Sequence, residues 1–140
     1  MRFQSLLLAY ALIAFYSAQA TAASECNATG GQHNAQQLEK GPYRLTFRTT
    51  PRNITVGKFF DLTISVCTTD QSPLPDGLKI DAMMPMHGHG MNYRPSVKHS
   101  APGKFQATGI MMHMAGSWVL RFDVRQDDKA TRLQTKITLK

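Results

Sequence analysis

The sequence predicts an all-β domain, an immunoglobulin-like antiparallel β-sandwich of about seven strands. Three observations predict it. Apolar and polar residues alternate with a period of two over much of the chain, proline- and glycine-bearing turns separate these runs, and no stretch carries the spacing of an amphipathic helix.

The first run sets Tyr43, Leu45 and Phe47 against Arg44, Thr46 and Arg48. After the turn-forming stretch Pro51 to Gly57, Phe60, Leu62, Ile64 and Val66 point inward while Asp61, Thr63 and Ser65 point out. A turn from Ser72 to Gly77 leads to Leu78, Ile80, Ala82 and Met84. Asn92 to Lys98 reads as a weak strand, and Phe105 to Met112 as a strand with blurred alternation. The cleanest pattern is Trp118, Leu120, Phe122 and Val124 against Val119, Arg121, Asp123 and Arg125. Thr131 to Leu139 closes the domain, with Leu133, Ile137 and Leu139 inward.

The domain is preceded by an address. Arg2, the apolar run Leu6 to Tyr16 and the small-x-small pattern Ala18-Gln19-Ala20 predict a signal peptide over 1–20. The run falls short of the ~20 residues a membrane-spanning helix needs, so no transmembrane segment is expected in the mature chain. Residues 21–42 read as a flexible arm and 43–140 as the sandwich. The expected location is the periplasm or the extracellular space. There an even pair of cysteines, Cys26 and Cys67, is first read as a disulfide. Closing that loop would stabilise the fold by about 4 kcal/mol.

Sixteen Lys plus Arg face nine Asp plus Glu. Losing 1–20 removes only Arg2, which leaves a formal charge of +6. The cations are scattered along alternating strands, as on the solvated face of a sheet; docking on an acidic partner or an anionic membrane is the competing use. Nucleic acid is not an expected partner, because no basic cluster with interleaved aromatics is present.

The chemically unusual stretch runs from Met83 to Met114. Seven of the eight methionines and four of the five histidines fall in it, as Met83-Met84-Pro85-Met86-His87-Gly88-His89-Gly90-Met91 and Met111-Met112-His113-Met114. Thioether sulfur is a soft donor suited to Cu(I), and imidazole serves both copper states. Copper is therefore the expected ligand, Cu(I) favoured and Cu(II) possible. The candidate metal ligands are His87, His89, Met91, His113 and Met114, with Met86 in reserve. Gly88 and Gly90 would let the first three converge from a tight loop. Met84 lies on the inward face of its strand and reads as core, and His99 as a structural or solvated histidine. If Met111 to Met114 continue as strand, alternation lets only one of His113 and Met114 face the loop.

Met84-Pro85-x-His87-Gly88-His89-Gly90, followed by Met114-x-Gly116-x-Trp118 and a final strand, resembles the YtkA-like domain proteins over roughly Tyr43 to Leu139. More distantly the chain is similar to FixH-type proteins. Ala115 stands where that pattern commonly has proline, and Met91 where it has a small hydroxyl residue. The resemblance implies an exported β-sandwich linked to copper handling, with an oxidase-assembly or copper-transport protein as partner. The expected function is a copper carrier or metallochaperone. The alternative is a non-metal interaction module with a Met-rich contact loop. No enzyme is expected, because no carboxylate or hydroxyl is placed as an obvious acid, base or nucleophile.

Overall fold

The computed structural model describes residues 35–140. The expected signal peptide, Cys26 and residues 21–34 of the expected arm lie outside that range. Nine strands are present: β1 (Gln36–Lys40), β2 (Tyr43–Thr50), β3 (Phe59–Thr68), β4 (Gly77–Met84), β5 (His89–Gly90), β6 (Ser96–Ala101), β7 (Lys104–Met111), β8 (Gly116–Gln126) and β9 (Lys129–Leu139). They form two antiparallel sheets, one ordered β1-β2-β3-β7-β6 and the other β5-β4-β8-β9. No helix among the described residues is long and apolar enough to cross a membrane.

Alternation explains the layering. Leu45 and Phe47 on β2, Leu62 and Ile64 on β3, Ala107 and Ile110 on β7 bury the inner face of the first sheet. Ile80, Ala82 and Met84 on β4 and Trp118 to Val124 on β8 do the same for the second. The Phe47 and Phe122 rings meet across the interior at 4.9 Å. On the outer face of the second sheet, Arg132 grips Asp123 through Nε (2.6 Å) and Nη2 (2.9 Å), which holds the Asp123 carboxyl below its usual range.

Two strands exceed the sequence expectation. Gln36–Lys40, expected as part of the arm, pairs with β2 over its whole length. An edge strand needs only backbone partners, and of these five residues only Leu38 is partly buried, so no alternation announces it. β5 has two residues, too few for any period to register. Cys67 is buried near the end of β3, and no free cysteine occurs among the described residues. Its expected partner, Cys26, lies outside them.

Candidate metal centre

The Met/His segment folds into the two connections that meet at one end of the sandwich. The first is the turn 85–88 between β4 and β5. Both the His87 and Gly88 amides donate to the Met84 carbonyl (3.2 and 3.0 Å), and Gly88 takes a φ of +67°, a conformation that glycine adopts without a side-chain penalty. The turn sets His89 directly opposite Met84 in the ladder. Directly paired residues project to the same face of a sheet, so His89 turns toward the interior with Met84.

The second connection, 112–115, carries the chain from β7 in one sheet to β8 in the other. β7 stops at Met111, so the alternation that would set His113 and Met114 on opposite sides does not extend to them. Met112 is fully buried in the core. The His113 ring stacks on the His89 ring at 5.2 Å, and the sulfurs of Met84 and Met114 lie near His89.

Trp118 forms the floor. It is fully buried, its ring meets His89 edge-on at 5.9 Å and His113 at 5.4 Å, and its Nε1 donates to the Met114 carbonyl at 2.9 Å. That bond fastens the crossing segment over the indole. Gly116, at φ +118°, makes the remaining room: a Cβ there would stand 2.9 Å from Met84 Cε.

The remaining expected ligands sit farther out. His87 is exposed, with its ring 5.9 Å from that of His89. Met86 projects from the turn, 89% exposed. Met91 donates its amide to the Ala82 carbonyl, packs against the core and lines a groove with Leu78 and Ile80. His99 lies on β6 and stacks on Phe105 at 4.7 Å, apart from the other histidines. Met84 reads as core in the sequence. It is in the core, and its sulfur also faces His89. The usable signal was the length of the turn, because a four-residue connection from Met84 makes His89 its partner.

The chemistry available is soft and neutral. Among the described residues no three His, Cys, Asp or Glu side chains converge on one point; the other soft donors beside His89 are the thioethers of Met84 and Met114. His89 Nδ1 lies 3.1 Å from the Gly90 carbonyl. A proton donated there leaves the Nε2 lone pair free. His113 Nδ1 is buried with no hydrogen-bond partner, and an orphaned buried polar atom costs about 1–3 kcal/mol unless something satisfies it. The four connections at this end (51–58, 85–88, 91–95 and 112–115) carry Arg52, Lys58 and Arg94 and no Asp or Glu. Those at the opposite end (41–42, 69–76, 102–103 and 127–128) carry Asp70, Asp76, Asp127 and Asp128 and no Lys or Arg. No protein family, curated protein or solved structure matches this chain.

Proposed function

We propose that this protein is an exported copper carrier or metallochaperone that holds Cu(I) between His89 and His113 with thioether donors from Met84 and Met114. The observation that carries the reading is the unpartnered, buried His113 Nδ1 beside a second imidazole and two sulfurs. Two imidazoles and two thioethers bring no negative charge, and the surrounding connections add cations, so a monovalent soft ion suits the site better than a hard divalent one. His87 and Met86, exposed on the same turn, are outer donors that would meet the ion on its way in or out. The donors have a buried indole and thioethers about them rather than a positioned carboxylate, which favours carriage over catalysis. The scaffold reads as immunoglobulin-like, and the resemblance to YtkA-like proteins points the same way, toward delivery to an oxidase-assembly or copper-transport protein.

The test is competition for Cu(I) between the mature protein and a chelator of known affinity, followed through the fluorescence of Trp118, the single tryptophan. One equivalent of Cu(I) should quench the emission. His89→Ala with His113→Ala should weaken binding more than about tenfold, while His99→Ala leaves it unchanged. Failure of the wild-type protein to compete, or equal affinity in the double variant, would overturn the proposal.

A further inference from the structure

All the exposed large hydrophobic side chains among the described residues lie at the end that bears His87, His89 and His113: Phe59 (53% exposed), Met86 (89%), Tyr93 (49%) and Met114 (38%). The topology puts them there. Phe59 opens β3 opposite Met111, the last residue of β7. Met86 lies in the β4–β5 turn, Met114 in the β7–β8 crossing, and the Tyr93 ring meets Phe59 edge-on at 5.3 Å. Two aromatic rings that pack on each other while remaining half exposed are costly to leave in water. Lys58 and Arg94, both exposed, adjoin the pair in sequence, and no carboxylate side chain interrupts the four connections. Beside Tyr93 and Arg94 a groove of about 530 Å³ opens along β4, where Lys79 and Arg94 outnumber the one carboxylate, Asp81.

We infer that this end is a docking face for a protein partner whose complementary surface has an apolar centre and an acidic rim. The residue types favour protein over lipid. Aromatic residues, methionine and arginine are the types enriched at the centre of protein interfaces, where lysine is depleted. Methionine adapts its shape to a partner. The cations of this end, Lys58 and Arg94, favour an acidic partner over a second copy of this chain meeting it face to face, because two such ends would bring cation against cation. The face does not depend on copper: it rests on exposure and charge alone, so it stands or falls separately from the metal site it surrounds.

The experiment is site-specific photocrosslinking of the full chain in its own cells, with p-benzoylphenylalanine in place of Phe59 and, as control, in place of Asp128 at the opposite end. Position 59 should give one discrete protein adduct and position 128 none, with the crosslinked peptide on an Asp/Glu-rimmed surface of the partner. Lys58→Glu with Arg94→Glu should cut the yield about fivefold or more, since reversing rim charges slows association. Both residues are exposed, so far-UV circular dichroism should be unchanged in this variant, and the neutral pair Lys58→Gln with Arg94→Gln should give an intermediate yield. The inference is overturned by an absent adduct, by an adduct only with a second copy of the chain, or by a yield indifferent to charge reversal. Charge-dependent sedimentation of the purified protein with phosphatidylglycerol vesicles, without a protein adduct in cells, would assign the face to membrane and overturn it as well.

Discussion

Two hairpins of the same sheet are built very differently. β8 and β9 pair over eleven positions, from Gly116 opposite Leu139 to Gln126 opposite Lys129, and close through the two-residue turn Asp127-Asp128. β4 and β5 share two pairs, Met83 with Gly90 and Met84 with His89. Both hairpins bury core residues, on β8 and β9 in the first and on β4 in the second, and the second also sets His89 opposite Met84. A short ladder at a sheet edge opens at low cost compared with a long one. The difference teaches that His89 rests on two ladder pairs at a sheet edge, while Trp118 beneath it belongs to a ladder of eleven.

The comparison breaks most severely at Phe122. This ring is fully buried on β8 and packs on Phe47; Phe122→Ala should cost about 3–5 kcal/mol, read as a lower urea midpoint. A loss below about 1 kcal/mol would mean that the long hairpin is not the stabilising half. Gly116 joins the two hairpins, and Gly116→Ala should cost about 1–2 kcal/mol from its backbone conformation. The new Cβ would also displace the Met84 methyl, so the variant should lose Cu(I) affinity as well as stability. Stability lost with affinity retained would separate Met84 from the site.

The smallest effect belongs to the outer face of β8–β9. Arg132 lowers the Asp123 pKa in the folded state, so the pair contributes stability that is fully present above the unfolded carboxyl pKa. That contribution disappears as the pH falls through the lower folded value. Half of Arg132 is exposed, and solvent screening limits the gain to about 1 kcal/mol or less. Asp123→Asn should therefore lower stability slightly at pH 7 and leave it unchanged in strong acid, as measured by urea denaturation at each pH. An equal loss at both would mean that the charge is not what the pair contributes.

Much of this architecture was legible because burial writes itself into alternation. β3 and β8 have one solvated and one buried face, and their inward residues read directly from the sequence. β1 was not legible, because backbone pairing at an edge leaves no side-chain signature. The candidate site was legible in composition and not in geometry. His89 and His113 stand out as residue types, but their stacking depends on where β7 ends, and alternation carried past Met111 sets His113 and Met114 on opposite sides. Met84 belongs to two patterns at once. Its strand position places it in the core, and only the turn that follows reveals what stands opposite.

The scattered lysines and arginines acquire a use once the sheet edges are known. β9 and β6 are edge strands bearing Arg132 and Lys136, and Lys98, while the part of β4 that β5 leaves uncovered bears Lys79. An open strand edge is a template on which any other extended chain can add itself, and charge along it is a common protection. Lys98 on the β6 edge and Lys79 on the uncovered part of β4 are charges of the kind that hinder such strand-to-strand growth.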